Sequence, residues 1–306
     1  MFEDKIVYLN GEFIKWNQAK VHIMSHSMGR GSAIFEVISV HKTDKGTSVF
    51  RLDEHINRLF KTASMLDMKI QNSKEELIES VLRTVAANKI SYGIVKIICF
   101  YPQISFEILP PQKTLDVSIF AIDTSDIPGR TEDSAKKNVT LCVSMWKKLD
   151  PQSVPVEAKV AANYLNGMLA REEAKKRGFT YALLLDKNGF VAEGGTESVF
   201  IVKEDQLMTP APGTILKSIT RKSIIQLAKN IGISVVEKEL NPDLLYTADE
   251  IFLSCSPLKV LSVSRVGERS LYKIPGPVTV KINSALENIT SGKDLNYSDW
   301  LFSAKF

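Results

Sequence analysis

A polar stretch near the middle of the chain, DTSDIPGRTEDSAKKN from 123 to 138, separates two series of predicted strands and helices. It has one proline, one glycine and no apolar periodicity, a composition typical of a connection between domains. With 306 residues the chain is long enough for two domains. We therefore predict an N-terminal domain over 1–122, a linker over 123–138 and a C-terminal domain over 139–306.

Local patterns on both sides of this stretch predict strands that are followed by nearby helices. Asn10-Gly11 stands between two alternating segments and indicates a hairpin. Ser73 with Glu76 three residues later predicts a capping box at the start of a periodic helix. The stretch from 220 to 232 also has helical periodicity, and VTLCVSMWK, SVFIV and DEIFLSCS are typical of strands. We expect an α+β fold in both domains.

Composition excludes several classes of function. The balance of 39 basic and 35 acidic residues gives a net charge of +4, too mild to favour nucleic acid or an anionic membrane as partner. No apolar run approaches the length of a transmembrane helix, and the N-terminus lacks the apolar core of a signal peptide. The three cysteines have neither metal-binding nor disulfide spacing. We expect a cytoplasmic protein without a metal site.

Lys159 lies in VEAKVAANYL, among small apolar residues and directly ahead of an amphipathic helix that ends near Gly178. A loop lysine is ordinarily a solvated surface residue. Apolar surroundings, however, disfavour the charged form of a lysine and lower its pKa, which makes the amine a nucleophile toward carbonyl groups. Lys159 is therefore a candidate for Schiff-base formation.

Glu193 follows the strand GFVA and precedes Gly194-Gly195, where the backbone can turn tightly. It can simply cap the end of a hairpin. A buried acid beside a pyridine nitrogen would instead keep that nitrogen protonated, as a cofactor that accepts electrons requires.

A helix start is the third candidate feature. Ser218, Ile219 and Thr220 lie where unpaired N–H groups and the helix dipole favour an anion. Serine and threonine also cap helices that bind no ligand, so this signal is weak by itself. An amine for an imine, an acid for a ring nitrogen and an anion site are together the three binding features that pyridoxal 5′-phosphate (PLP) requires.

Five segments, in this order, resemble the class IV aminotransferases, a PLP-dependent family that contains the branched-chain and D-amino-acid aminotransferases. They are RLDEHINRL, KVAANYLNGMLAREEAKKRG, ALLLDKNGFVAEGGTESVFIV, TPAPGTILKSITRKSIIQLA and ADEIFLSCS. The resemblance covers nearly the whole chain. It implies fold type IV, with a small N-terminal α/β domain and a larger C-terminal pseudo-barrel domain, and a homodimer whose N-terminal loops complete the neighbour's site.

The resemblance also implies roles for the matched residues. Lys159 would form the Schiff base with PLP and move the proton of the substrate Cα. Tyr164 would bind the phenolate oxygen of the cofactor, and Glu193 its pyridine nitrogen. The phosphate would be held by Arg58, Ile219, Thr220 and Ser256.

The expected substrate residues depart from the branched-chain pattern. Arg30 stands where those enzymes carry an aromatic residue and Ser39 where they carry an arginine, whereas Phe35 keeps the family type. Lys96 replaces another arginine. Pro257 stands where a backbone N–H binds the substrate carboxylate, and proline has no N–H to donate. Arg30 and Lys96 can still hold a carboxylate, or they are solvated charges of a loop and a strand edge.

We expect an amino group to pass from a branched-chain-like amino acid to a 2-oxo acid such as 2-oxoglutarate. (R)-Amine and D-amino-acid transaminases of the same family are alternatives, since the pattern of Arg30, Val37 and Ser39 is closer to the (R)-selective enzymes. An aminodeoxychorismate lyase is a third alternative, against which the absence of a threonine near Glu36 argues.

Overall fold

The computed structural model describes residues 2–127, 138–256 and 259–305, which divide into two compact units. The first unit contains the described residues up to 127, Ala158–Ala162 and the described residues from Asn288 onward. The second contains the described residues of the ranges 138–157 and 163–287. Most of the predicted linker over 123–138 lies outside the described residues.

The elements before the predicted linker are strands joined by three helices. In chain order they are β1 (Ile6–Leu9), β2 (Glu12–Lys15), α1 (His26–Arg30), β3 (Ile34–Thr43), β4 (Gly46–Phe50), α2 (Leu52–Met65), β5 (Lys69–Ile70), α3 (Lys74–Ala87), β6 (Gly93–Phe100) and β7 (Thr114–Asp123).

The elements after the linker follow a similar alternation. In chain order they are β8 (Val139–Lys147), α4 (Tyr164–Lys176), β9 (Tyr181–Leu185), β10 (Val191–Gly194), β11 (Ser198–Lys203), β12 (Gln206–Pro210), α5 (Ile219–Asn230), β13 (Val235–Lys238), β14 (Glu250–Cys255), β15 (Lys259–Val266), β16 (Arg269–Ser270), α6 (Pro277–Thr290) and β17 (Leu301–Ala304).

The sheet of the first unit has the strand order β17-β4-β3-β6-β7-β1-β2, with β5 paired to β7. Ile34, Ile38 and Val40 of β3 are fully buried in one core with apolar residues of α2 and α3. Because side chains alternate along a strand, Glu36 lies on this helix-covered face and Phe35 on the opposite face. The alternation therefore determines which residues of β3 can meet α2.

The sheet of the second unit has the order β10-β9-β8-β15-β14-β11-β12-β13, with β16 paired to β15. Most pairs are antiparallel, but β8 runs parallel to both β9 and β15, and β12 runs parallel to β13. Phe200 of β11 and Phe252 of β14 are fully buried, and their rings stack with centroids 4.8 Å apart. Helix α4 packs on β8 and β9, and α5 packs on β13 and β14.

Local sequence signals predict these elements well, and the α+β class is confirmed. Asn10 and Gly11 both have positive φ, as the two-residue turn between β1 and β2 requires. Ser73 and Glu76 form the predicted capping box at the start of α3. Ser218 is the N-cap of α5, which begins one residue before the predicted start.

The observed division differs from the predicted domain over 139–306 in two segments. Leu301–Ala304 pairs with β4 and forms the edge strand of the first sheet. Ala158–Ala162 also belongs to the first unit, where Val160 pairs with Ile34 of β3. Both assignments result from backbone pairing over a large sequence separation, which local periodicity does not report.

Trp300 anchors the end of the chain to the first unit. Its side chain is 5% exposed, packs against Phe50 and Tyr297, and lies 4.1 Å from the guanidinium of Arg51. We expect Trp300→Ala to lower the free energy of unfolding by about 3–5 kcal/mol, because a large buried ring is lost. Urea unfolding followed by circular dichroism measures the change.

The matched control is Leu295→Ala in the same turn, since Leu295 is 65% exposed. This variant is expected to remain within about 0.5 kcal/mol of the wild type. An equal loss of unfolding free energy in both variants would contradict the packing of Trp300 and its C-terminal segment in the first unit.

Candidate functional site

The backbone of Lys159 is bound on two sides within the first unit. Its N–H donates to Oγ1 of Thr62 at 3.2 Å, and its carbonyl accepts from the N–H of Phe35 at 3.1 Å. The N–H of Ala161 donates to the carbonyl of Ala33 at 2.8 Å. The segment that carries the lysine is therefore fixed to the start of β3 and to α2.

The side chain of Lys159 lies in the apolar setting that the sequence predicts. Its Nζ is 4.9 Å from the centroid of the Phe35 ring, within the range of a cation–π contact. Ala158 is 2% exposed, and Val160 packs against the core of the first unit. Lys159 itself is half-buried, with its amine beside the Phe35 ring.

Glu36 lies at the centre of a buried charge cluster. Its carboxylate accepts hydrogen bonds from Nε and Nη2 of Arg58 at 2.7 and 2.6 Å, and from Nδ1 of His55 at 2.7 Å. Burial alone would raise the pKa of Glu36, but the charge and hydrogen bonds of Arg58, with the hydrogen bond of His55, lower it to about 2. Glu36 is therefore ionised at neutral pH and fixes the Arg58 guanidinium by two hydrogen bonds.

His55 is neutral in this cluster. Burial is the main cause that lowers the pKa of His55 below its usual value, the hydrogen bond to Glu36 opposes this, and the cations of Arg58 and Lys159 add to the lowering. Since an ionised carboxylate can only accept, the imidazole proton lies on Nδ1. Lys159 is thus close enough to lower the pKa of His55, which also binds Glu36.

One face of α2 joins these groups. His55, Arg58 and Thr62 are spaced by three and four residues, so their side chains project from the same side of the helix. Arg58 and His55 bind Glu36, and Thr62 binds the backbone of Lys159. A single helix therefore orients both the predicted Schiff-base lysine and the predicted phosphate-binding arginine.

Glu193 is buried in the second unit, with 8% exposure. A β-bulge interrupts the pairing of β10 with β9 between Val191 and Glu193, and a bulge changes the direction of the side chains that follow it. Oε1 of Glu193 lies 2.5 Å from Nζ of Lys148, and Oε2 accepts from the N–H of Leu216 at 3.4 Å. The predicted ring-binding acid is therefore an oriented carboxylate.

Tyr164 is the first residue of α4 and is half-buried. Gly167, on the same face three residues later, makes close contact with the turn after β10, since a Cβ there would lie 2.2 Å from the carbonyl oxygen of Gly195. Only glycine allows this approach of helix to turn. Tyr164 therefore lies on the face of α4 that packs against the turn following Glu193.

The predicted phosphate residues of the second unit lie together. Ser218 caps α5 by accepting from the N–H of Arg221 at 3.2 Å, so Ile219 and Thr220 form the first turn. Oγ1 of Thr220 lies 3.5 Å from Oγ of Ser256, which follows β14. Hydroxyl groups and a helix start form a donor set suited to a phosphate.

The groups in the two units fit PLP by their chemistry. The first offers an amine in apolar surroundings and a positively charged arginine. The second offers a carboxylate that has one ion pair and one long hydrogen bond among the described residues, together with the donors at α5. These groups suit an aldehyde, a phosphate and a protonated ring nitrogen.

Three predicted substrate residues lie on one face of the first sheet. Phe35 and Ser39 alternate along β3, and Lys96 of β6 pairs with Val37 on the same face. Nζ of Lys96 is 5.1 Å from the centroid of the Phe35 ring, and burial lowers the pKa of Lys96 below its ordinary value. Phe35 therefore contacts the amines of both Lys96 and Lys159.

The other substrate predictions have different outcomes. Ser39 is 4% exposed, and its Oγ lies 2.9 Å from Nε2 of His41, so its hydroxyl already has a partner inside the unit. Arg30 is exposed, and its Nη2 donates to the carbonyl of Phe106 at 3.0 Å. Pro257 lies outside the described residues.

The sequence did not identify several residues that hold the site. These partners of predicted residues are Glu36, His55, Thr62, Lys148 and Leu216. The helical spacing of His55, Arg58 and Thr62 was a usable signal, because it places them on one face. Nothing in the local sequence links Lys148 with Glu193.

In the part of the chain that the structure describes, no helix is long and apolar enough to cross a membrane. Among the same residues, no group of three or more His, Cys, Asp or Glu side chains is placed to hold a metal ion.

Comparisons with known proteins agree over nearly the full chain. A model of the amino-transferase class IV family matches residues 33–266. The branched-chain-amino-acid aminotransferase of Escherichia coli (strain K12) is 33% identical over 302 residues, which cover 96% of each chain. The branched-chain aminotransferase of Thermoproteus uzoniensis, solved with norvaline, has a TM-score of 0.92 at 30% identity over 98% of this chain and 99% of that one. The branched-chain amino acid aminotransferase of Thermobaculum terrenum, solved in its PLP form, has a TM-score of 0.93 at 25% identity, with 100% of both chains covered.

The Glu36 cluster predicts a pH dependence of stability. Because the pKa of Glu36 falls from its ordinary 4.5 to about 2 on folding, the unfolded chain takes up the proton first as the pH decreases. The resulting stabilisation, on the order of 3 kcal/mol, is present above about pH 4.5 and is lost as the pH falls through about 2. In Glu36→Gln this contribution is absent.

The free energy of unfolding of both proteins, measured in urea at about pH 6 and about pH 3, tests this. The advantage of the wild type over Glu36→Gln is expected to shrink by about 2 kcal/mol at the lower pH. Other carboxylates are present in both proteins, so their effects cancel in the difference. A difference that does not change with pH would contradict the assignment.

Proposed function

Because this chain belongs to the amino-transferase class IV family and is therefore a PLP-dependent transaminase with fold type IV, we propose branched-chain L-amino acids as its amino donors. The acceptor is a 2-oxo acid such as 2-oxoglutarate. The names of the relatives support this donor class. The observation that carries the proposal is the position of Lys159, whose backbone is bound by β3 and α2 and whose amine lies against Phe35.

Each predicted cofactor residue has a role that its setting supports. Lys159 would hold the cofactor through its aldehyde group, and Tyr164 would donate its hydroxyl hydrogen to the phenolate oxygen. Glu193 would accept the N–H of the pyridine ring, since its carboxylate is buried and oriented. Arg58 and the groups of Ile219, Thr220 and Ser256 would hold the phosphate.

The bound cofactor supplies a protonated ring that withdraws electrons from the substrate Cα. The amine of Lys159 would act as the general base that removes the proton from the substrate Cα. The same amine returns a proton when the 2-oxo acid accepts the amino group. The backbone hydrogen bonds of Lys159 hold this amine beside the Phe35 ring.

The face that carries Phe35 and Lys96 binds the substrate in this proposal. Lys96 is a half-buried cation whose Nζ lies on the same ring as Lys159, and no described residue offers it a carboxylate partner. It therefore attracts a carboxylate of the substrate. Arg30 and Ser39 are second contributors, although both already hold partners inside the first unit.

We also propose that the enzyme is a cytoplasmic homodimer. Large apolar side chains are exposed around α1 and on the loop after β6, two segments that a bridge between Ser25 and Ile104 connects. They include Ile23, Met28, Phe106 and Ile108, which are 71–77% exposed. Exposed apolar patches of this kind mark surfaces that bind protein. The three cysteines are free thiols, as in a reducing compartment.

A donor screen tests the function. The purified enzyme is assayed with L-leucine, D-alanine and (R)-1-phenylethylamine as donors, and with 2-oxoglutarate or pyruvate as acceptor. We expect L-leucine with 2-oxoglutarate to give the highest kcat/KM, by at least about tenfold, because donors are discriminated in the transition state. Product amino acid is quantified by chromatography.

Two lysine variants serve as matched controls. Lys159→Ala is expected to be inactive with every donor, whereas Lys187→Met, which removes a surface ion pair with Asp150, retains full activity. Highest activity with D-alanine or the (R)-amine would overturn the donor class. Release of pyruvate from aminodeoxychorismate without an acceptor would show a lyase instead.

A further inference from the structure

Lys148 and Glu193 form an ion pair in the second unit that is largely shielded from solvent. Their side chains are only 13% and 10% exposed, and Nζ lies 2.5 Å from Oε1. By contrast, the surface pair of Lys187 and Asp150 is 45% and 26% exposed. A charge pair with little solvent is held in one geometry, and loss of either partner leaves a buried charge unpaired.

The backbone around both residues fixes this geometry. Lys148 directly follows β8, and its N–H donates to the carbonyl of Leu185 at 2.8 Å. Glu193 follows the bulge in β10, which pairs with the same strand β9 that contains Leu185. Strands β8 and β10 both pair with β9. Lys148, directly after β8, therefore lies close enough to β10 for its side chain to reach the Glu193 carboxylate.

The hydrogen bonding of Glu193 is incomplete when compared with that of other buried glutamates. Glu36, Glu197 and Glu250 each accept three hydrogen bonds of 3.1 Å or less. Among the described residues, the Glu193 carboxylate has only the ion pair with Lys148 and a 3.4 Å hydrogen bond from the N–H of Leu216. A buried carboxylate of this kind has lone pairs available for a further donor.

We propose that Lys148 is a positioning residue for the cofactor: its ammonium group orients the Glu193 carboxylate so that this carboxylate would accept the N–H of the pyridine ring. The inference rests on the proposed role of Glu193. Without the ammonium group, the carboxylate keeps one long hydrogen bond, so its direction is no longer fixed.

Lys148 also adjusts the charge on the ring. The carboxylate shares its negative charge between two positive groups, the ammonium and the ring N–H. Removal of the ammonium takes one positive charge away from the cofactor environment. A protonated group of the bound cofactor would then lose its proton at a higher pH. The pH dependence of the visible absorption band reports this change, and a lysine that serves only folding would not affect it.

The test compares Lys148→Met, Lys148→Gln and Lys148→Arg in the PLP-loaded enzyme, with Lys187→Met as the ion-pair control. We expect Lys148→Met to weaken PLP binding and to lower kcat at least about tenfold, as removal of groups that orient a ligand-binding residue commonly does, with little change in KM for the amino donor. The pH midpoint of the visible band is expected to rise. Lys148→Arg keeps the charge and the donors. Its PLP affinity and kcat should therefore lie within about threefold of the wild type, and its pH midpoint should return to that of the wild type.

Lys148→Gln keeps a hydrogen-bond donor without the charge, and it decides the matter if Lys148→Met does not fold. Its band is expected to shift as in Lys148→Met. An unchanged midpoint and unchanged PLP affinity in the neutral variants, as in Lys187→Met, would overturn the proposal. An equal loss of kcat in Lys148→Arg and Lys148→Met with an unchanged band would overturn it as well, since that is the pattern of a structural role.

Glu193→Gln distinguishes the role of Glu193 from the role of Lys148. If this variant shifts the band and slows the reaction while the Lys148 variants do not, Glu193 keeps its role and only the role of Lys148 is wrong. If Glu193→Gln also behaves as the wild type, the assignment of Glu193 to the ring nitrogen fails, and the inference fails with it.

Discussion

Lys159 owes its position to backbone hydrogen bonds that attach Ala158–Ala162 to β3 and α2. These bonds complete a closed ring of contacts. Strand β3 carries Glu36, Glu36 holds Arg58 on α2, and Thr62 of α2 holds Lys159, which returns to β3 through Phe35. A neutral hydrogen bond contributes only about 1 kcal/mol net and one to a charged group about 1.5–3 kcal/mol, but a broken member leaves a buried polar group without its partner. The lysine and the arginine are therefore positioned together.

Two buried carboxylates give the two units different tasks. In the first, Glu36 is fully paired with Arg58 and His55, so its charge serves to hold the arginine. In the second, Glu193 keeps acceptor capacity beside Lys148. A carboxylate whose bonds are all made stabilises structure, whereas one with open lone pairs can bind a ligand. The distinction between support and binding thus follows from hydrogen bonding and not from burial, which the two acids share.

Most local structure follows from the sequence because its causes are local. Asn10-Gly11 sets a turn through positive φ, and Ser73 and Ser218 start helices by capping N–H groups nearby. Lys159 and Glu193 could be selected from their neighbours, since an amine among apolar residues and an acid before two glycines are unusual.

What the sequence does not predict depends on distant pairing. Leu301–Ala304 is too short to identify as a strand, and its partner β4 lies about 250 residues earlier. The pairing of Lys148 with Glu193 needs the register of β8, β9 and β10, including a bulge. Ser39 was selected for a substrate contact, yet the strand also brings His41 to its hydroxyl. Such contacts arise from tertiary packing, which composition and periodicity do not encode.

The most direct test of the account is to locate the amine that binds the cofactor. The PLP-loaded enzyme is reduced with sodium borohydride, which makes a carbonyl–amine linkage permanent, and is then digested and analysed by mass spectrometry. The account predicts that the added mass of reduced pyridoxal phosphate lies on the peptide that contains Lys159, and on no peptide with Lys96 or Lys148 as its modified residue. A label on another lysine, or a loaded enzyme without any label, would contradict the central role of Lys159.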